Sequence, residues 1–565
     1  MSTPIYGDRT SHIRDAFQQR AGIRVVDIAV REYPDETNYI VYVRETDVAE
    51  AAVIGNDLDQ EISTPGDRAF VIVRKAPDEL LQKEMRPLSA GVQDSRSVDL
   101  TNLISARSRV SEIQPSLSYV KDADRNLFAV TAPRHHLIFG RRGAGKSALL
   151  VEAKRNLDES SNISSWSNMQ TLRNENADRV FLLILEDIIQ AVITRQQRIR
   201  SASPISVGAA ELYDEIRGLL SVDSTTDGWS TRLIPKVQRV LKRFLDANGL
   251  RLYIFVDDFY YLPRKDQPMI LDMLHGCVRD CNAWLKVASI RHLTRWWQST
   301  PPLGLQTMHD ADLLDLDVTL QDPGRAKRFL ENILTEYARH VGVPSLSRIF
   351  NSPALDRLVL ASGGVPRDYL ILAQSSILRA QRRQNAKLVG VQDVNQAAGD
   401  AAQAKVQELE EDMASDVASA TRTLAALKKV RSFCLEETSH TYFLIGYRDK
   451  ENLPSNYNVL TDLLDLRLIH LVDDGVSDPH SAGHRSEAYM LDLSQFSGSR
   501  LKQGIRVLDY QGGNIISKKT RGSYRGKSDS TPKVGDTPLK AIAILRTAPS
   551  FSLELVGDLV SQSNP

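Results

Sequence analysis

One stretch of this 565-residue chain admits few conformations. Leu137-Ile138-Phe139 is an apolar run of strand type that leads into Gly140-Arg141-Arg142-Gly143-Ala144-Gly145-Lys146-Ser147 and then into the helical run Ala148 to Lys154. The spacing G-x-x-x-x-G-K-[ST] between a strand and a helix lets the backbone turn tightly enough for successive N–H groups to point inward. The helix N-terminus adds partial positive charge. Such a nest suits phosphate oxygens. Gly140, Arg141, Arg142, Gly143, Ala144, Gly145, Lys146, Ser147 and Ala148 are therefore expected to cradle a nucleotide, with Lys146 on its terminal phosphates and the Ser147 hydroxyl on a magnesium ion.

A loop of this kind needs a carboxylate from another strand. Arg251-Leu252-Tyr253-Ile254-Phe255-Val256-Asp257-Asp258 supplies one, as an apolar run ending in two acids. Asp257 is expected to hold the magnesium shell, and Asp258 to orient or deprotonate the attacking water. Many ATPases place Glu where Asp258 stands. The shorter side chain predicts slow turnover, because a misplacement of about 1 Å at a reacting centre can cost on the order of 100-fold.

Around these motifs the chain divides by pattern. Residues 1–95 carry period-2 apolar runs at Val26, Ile28 and Val30, at Tyr39 to Val43 and at Phe70 to Val73, with Pro34-Asp35 as a turn between the first two. They predict a small α/β domain whose role is unreadable. A polar linker, 96–130, precedes an alternation of strand-like and helical runs over 131–318, which predicts a parallel sheet covered by helices. Residues 319–402 are helical in pattern, opening on Asp322-Pro323 as cap and first-turn proline, with Leu330, Ile333, Leu334 and Tyr337 along one face. An acidic, alanine-rich connector, 403–415, leads to a compact block at 416–500 and then to a tail, 501–565, that is expected to be partly flexible.

At this point the residues carry a family resemblance. The phosphate loop, the strand ending in Asp257-Asp258, the strand Leu285 to Arg291 and Gly363-Gly364-Val365-Pro366-Arg367 follow the order used by AAA+ and STAND ATPases. The pattern over 131–500 looks like the origin-recognition (initiator-type) ATPases and the related STAND NTPases. The resemblance implies an α/β P-loop NTPase core with a parallel sheet, a helical lid at 319–402 and a winged-helix domain at 416–500. It implies ATP with Mg2+, lid closure over the nucleotide on binding, release on hydrolysis, and preference for adenine. Ser289 or Arg291 falls at the sensor 1 position, and both readings stand. Arg367 falls at the sensor 2 position, where a guanidinium would contact phosphate. Arg295 sits roughly where an arginine finger would be, in a poor motif context beside a Trp pair read as packing.

Partners divide along two lines. Within the winged-helix resemblance, Ser455 to Leu466 is the recognition helix and Asp473 to Glu487 the wing. Asn456, Tyr457 and Asn458 are its candidate readers, against Asp462 and Asp465, which would repel a DNA backbone. The tail segment Ser517 to Lys540 holds seven Lys or Arg and is the other candidate DNA surface. The alternative is a STAND-like signalling or conflict-system switch that recruits a protein effector through the N-terminal domain, without DNA. Assembly into a homo-oligomer stays open. With 71 Lys+Arg against 71 Asp+Glu, no global field draws the chain to nucleic acid or acidic lipid. Three cysteines, Cys277, Cys281 and Cys434, build no disulfide framework, and the N-terminus has no apolar signal core. A cytoplasmic protein that does not enter membranes is expected.

Overall fold

The computed structural model describes residues 6–33, 36–63, 68–77, 91–107, 126–159, 162–199, 204–221, 229–412, 417–477, 484–498, 502–511, 514–520 and 544–556. The Pro34-Asp35 turn, the middle of the wing and the tail from Arg521 to Lys540 lie outside them. The chain forms two compact units, residues 1–109 with 319–565 (unit 1) and residues 110–318 (unit 2).

Unit 1 begins with helix α1 (Tyr6–Ala21), strands β1 (Asp27–Tyr33) and β2 (Glu36–Val43), helix α2 (Val48–Ile62) and strand β3 (Arg68–Lys75). The sheet order is β1-β2-β3, with the first pair antiparallel and the second parallel. Tyr39, Val41 and Val43 face one way along β2 and meet Ile13 and Phe17 of α1 and Leu58 of α2, so the period-2 pattern becomes one buried face. Helix α3 (Ser95–Ala106) occupies part of the stretch expected to be a linker. Leu100, Leu103 and Ile104 give it a buried stripe, and the Asp94 side chain caps its start by accepting from the Arg96 N–H at 3.1 Å.

Unit 2 contains α4 (Asn126–Thr131), β4 (His135–Phe139), α5 (Lys146–Glu159), β5 (Ile163–Asn168), α6 (Ala177–Ile199), α7 (Pro204–Leu220), α8 (Trp229–Asn248) and β6 (Leu252–Asp257). It continues with α9 (Gln267–Val278), β7 (Ala283–Ser289), the small hairpin β8 (Trp297–Ser299) and β9 (Pro302–Gly304), and β10 (Ala311–Asp315). Five strands make an all-parallel sheet in the order β10-β4-β7-β6-β5. Every residue of β6 is buried, as a strand covered on both faces must be. Ile138, Tyr253, Phe255 and Ala288 pack with Leu149, Leu150 and Ala153 of α5 on one face. Leu137, Ile254, Val256, Leu285 and Val287 pack on the other with α6, α8 and α9. This is the P-loop NTPase core that the motifs imply. Because all five strands point the same way, the loops after β4, β6 and β7 gather at one end of the sheet.

The rest of unit 1 comprises four helices, α10 (Pro323–His340), α11 (Ser352–Ser362), α12 (Pro366–Gln381) and α13 (Val391–Asp412), and then a compact block. The expected connector is thus helical as far as Asp412. The block runs α14 (Val417–Ser432), β11 (Tyr442–Gly446), α15 (Tyr447–Asn452), α16 (Pro454–Asp465), β12 (Ile469–Ser477) and β13 (Arg485–Leu491), with an antiparallel sheet of order β11-β13-β12. Strands β14 (Arg506–Gln511) and β15 (Asn514–Lys519) form a hairpin within the expected tail, where Ile505 and Val507 join the core of this block. Among the described residues no helix is long and apolar enough to cross a membrane.

Candidate functional site

The loop after β4 turns at Gly143 and Gly145, whose φ values of 80° and 101° lie in the left-handed region that L side chains avoid. Helix α5 begins at Lys146 immediately afterwards and packs across β5, β6 and β7. That course carries its first turn to the end of β6, although β7 separates β4 from β6 in the sheet. Ser147 is consequently a close neighbour of the Asp257 carboxyl and favours its ionised form. The serine of the loop and the first acid of the second motif, 110 positions apart in the sequence, are neighbours in space.

Lys146 is 6% exposed and donates to the carbonyls of Gly140 (2.6 Å) and Arg141 (3.1 Å), so its ammonium lies inside the loop's curve. Asp257 is 2% exposed. Burial, and next the charge of Asp258, push its carboxyl up to about 7, against smaller pulls from Ser147 and Lys146. Asp258 follows in the left-handed conformation (φ 57°), which Asp tolerates better than most residues, and its N–H donates to Asp257 Oδ1 at 3.0 Å. Ser147, Asp257 and Asp258 bring oxygen donors together, around a buried carboxyl that burial and the second acid push up more than Lys146 and Ser147 pull it down. That is the chemistry a hard divalent cation such as Mg2+ fits.

The two sensor 1 candidates separate clearly. Ser289 is aligned with Phe139 in the β4–β7 register, one residue before the loop starts, and its buried hydroxyl meets that of Thr294 at 2.5 Å. Arg291 is exposed; its guanidinium lies over the Phe139 ring (6.0 Å) and pairs with Asp315 at 3.7 Å. Arg295 is also exposed, and its N–H donates to Gln267. Trp296 packs against Phe139, as read from the sequence. Arg367 opens α12 in unit 1, next to the buried Asp368.

Some contributors carry no recognisable signal in the sequence. Asp317 accepts from the Arg141 N–H (2.8 Å) and from its guanidinium (3.3 Å), while Arg141 also donates to the Val318 carbonyl. Arg141 thus clamps the loop's root to the segment after β10. Asp315 ends β10 and Asp317 follows just past it, and neither acid marks this role in the sequence. Tyr260, on the short turn after Asp258, lies under Arg142, with the guanidinium carbon 5.5 Å from its ring centroid.

In the C-terminal block, α16 coincides with the expected recognition helix. Asn456 is nevertheless buried and donates to the Leu553 carbonyl at 3.0 Å. The Tyr457 hydroxyl bonds Glu487 (2.8 Å) and Tyr489 (3.1 Å), which leaves Asn458 as the exposed member of the trio.

No protein-family model matches this chain, and no curated protein sequence does. Solved structures do match. Orc1 of Aeropyrum pernix in complex with DNA is similar over 66% of this chain and 90% of its own, at 14% identity and a TM-score of 0.33. Cdc6p of Pyrobaculum aerophilum is similar over 64% and 85%, at 13% identity and a TM-score of 0.27. A RuvB variant of Thermotoga maritima is similar over 61% and 87%, at 13% identity and a TM-score of 0.28. The P-loop NTPase fold of unit 2 stands on its own strand order and loop geometry.

Proposed function

We propose that this chain is a magnesium-dependent ATPase of switch type. The observation that carries the reading is the loop geometry: Gly143 and Gly145 turn in the left-handed region, α5 begins at once with Lys146, and its packing across β6 brings Ser147 beside Asp257. Mg2+ bound there would neutralise charge on the terminal phosphates. Ser147 and Asp257 would hold it. The loop amides and the N-terminus of α5 bind the phosphate tail, and Lys146 exchanges its loop carbonyls for phosphate oxygens. Asp258 orients the attacking water and accepts its proton; being one methylene shorter than Glu, it makes turnover slow. Ser289 is the polar group of the sensor 1 strand, Arg291 its alternative, and Arg367 the sensor of the helical set.

Nucleotide state is read out through the C-terminal block, which has the helix–strand–helix–helix–strand–strand order of a winged helix. Within unit 1, Asp368 of α12 is ion-paired to Arg467 (3.2 Å) beyond α16 and lies 3.5 Å from Lys405 of α13. Helices 323–412 and this block therefore respond together. The inward commitment of Asn456 and Tyr457 weighs against base recognition by this helix; the alternative output is recruitment of a protein effector through the N-terminal domain.

Steady-state hydrolysis by wild type and Lys146→Ala, with and without duplex DNA, tests the proposal. Hydrolysis that Lys146→Ala abolishes supports the ATPase, and equal rates in the two proteins contradict it. Stimulation by DNA, lost at high salt, selects the DNA-bound switch. Indifference to DNA selects the effector switch.

A further inference from the structure

Two adjacent arginines leave the phosphate loop in different directions. Arg141 is buried and engaged by the Asp317 carboxylate and the Val318 carbonyl, beneath the loop. Arg142 is half-buried and lies over the face of Tyr260. Tyr260 stands two residues past Asp258, on the turn Phe259–Tyr261 that the left-handed Asp258 begins. A stacked pair thus ties the loop that holds phosphate to the turn that holds the water-directing acid.

We infer that Arg142 is a catalytic residue, a guanidinium supplied by the loop itself to the terminal phosphate of a bound nucleoside triphosphate, and that Tyr260 is its positioning residue. The inference rests on the ATPase reading above. A guanidinium is planar, permanently ionised and able both to stack on a ring and to pair with phosphate oxygens, which suits it to move between the two. In the step it would assist, the water oxygen bonds to the γ-phosphorus and the bond from that phosphorus to the β–γ bridging oxygen breaks. The water's proton passes to Asp258. Negative charge gathers on the bridging oxygen and on the transferred phosphoryl group, and Arg142 stabilises it. Without the ring, a long side chain on a loop between glycines would sample many rotamers before each turnover.

The test compares kcat for ATP with the calorimetric Kd for Mg-ADP, which lacks the terminal phosphate, in full-length wild type, Arg142→Ala, Arg142→Lys, Tyr260→Leu, Tyr260→Phe and the double variant Arg142→Ala/Tyr260→Leu. Arg142→Ala is expected to lower kcat on the order of 100-fold while the Kd for Mg-ADP stays within about twofold. Arg142→Lys recovers little. Tyr260→Leu lowers kcat by about tenfold, Tyr260→Phe restores most of that loss, and the double variant is no slower than Arg142→Ala alone. An unchanged kcat in Arg142→Ala, an equal weakening of ADP and ATP, or multiplying losses in the double variant overturns the inference while leaving the ATPase reading intact. Failure of wild type to bind or hydrolyse Mg-ATP overturns the ATPase reading itself.

Discussion

Buried aspartates in the two units, Asp492 and Asp368 in one and Asp257 in the other, have carboxyls displaced in opposite directions. In unit 1, Asp492 accepts from Lys405 (3.0 Å), His470 Nε2 (2.7 Å) and the N–H of Ser494 (3.0 Å), and Asp368 is held by Arg467 and Lys405. Burial alone would raise both carboxyls. For Asp368, Arg467 and then Lys405 outweigh it; for Asp492, Lys405 and then His470 do, and both end below the ordinary carboxylate range. In unit 2, Asp257 is as deeply buried, but its nearest neighbour in sequence is another acid, and its carboxyl is pushed up to about 7. The first group is electrically closed. In the second, burial and the neighbouring acid outweigh the pull of Lys146, which is what distinguishes a site prepared for a metal-bound polyphosphate from an internal fastening.

The contrast implies opposite responses to the same kind of substitution. Asp492→Ala strands Lys405 without its strongest partner and is expected to cost about 3–5 kcal/mol of stability, measured by urea unfolding. A loss of under about 1 kcal/mol would mean that the network is not the closed system described.

Lys286 offers a sharper variant within unit 2. It is fully buried, donates to the carbonyls of Ala132 and Arg134 (2.7 Å each) and meets His136 Nδ1 at 2.9 Å. Those contacts suit a neutral amine, with two N–H groups given and one lone pair accepting from His136. Burial pulls its pKa from 10.5 down to about 6, with a small opposing pull from Asp312. Lys286→Met, which leaves the carbonyls unsatisfied, is expected to cost roughly 2–4 kcal/mol. The unfolded chain binds the lysine proton between about pH 6 and 10 and the folded chain does not. Wild-type stability should therefore rise with pH across that window, and Lys286→Met should lose that part of the slope in urea titrations at pH 6 to 9. An unaltered slope would place the charge balance of the sheet elsewhere.

Asp257→Asn should give the smallest change in stability, and one of opposite sign. Removing a buried carboxylate whose pulls from Lys146 and Ser147 do not offset its burial and the nearby acid leaves the nucleotide-free protein more stable by roughly 1 kcal/mol, while Mg-dependent hydrolysis falls away. Destabilisation of the size expected for Asp492→Ala would erase the distinction between the two groups.

These regions also differ in how far the sequence disclosed them. The loop and the Asp257 strand were legible because phosphate binding demands fixed residue types at fixed local spacing, and an all-buried parallel strand must be continuously apolar. In the C-terminal block the helices and the two strands β12 and β13 were legible from alternating turns and apolar runs, while β11 and the hairpin β14–β15 were not read. The closed network was not, because Asp368, Lys405, Arg467, His470 and Asp492 come from five separate segments and no local pattern marks them. Gly363 makes the point well. It was noted as part of a motif, yet a Cβ there would lie 1.9 Å from His470 Nδ1, a constraint set by a residue more than a hundred positions away. Asp317 and Tyr260 escaped notice similarly: an acid after a strand and a tyrosine in a turn acquire meaning once Arg141 and Arg142 are placed beside them.

The central claim is that a triphosphate seated in the loop shares a magnesium ion with the pair Ser147 and Asp257. Calorimetric titration of ATP into wild type and Asp257→Asn, each with and without Mg2+, tests it most directly. The account expects heat in wild type that depends on Mg2+, and loss of that Mg2+ dependence in Asp257→Asn. Absence of heat in wild type, or the same Mg2+ dependence in both proteins, would contradict it.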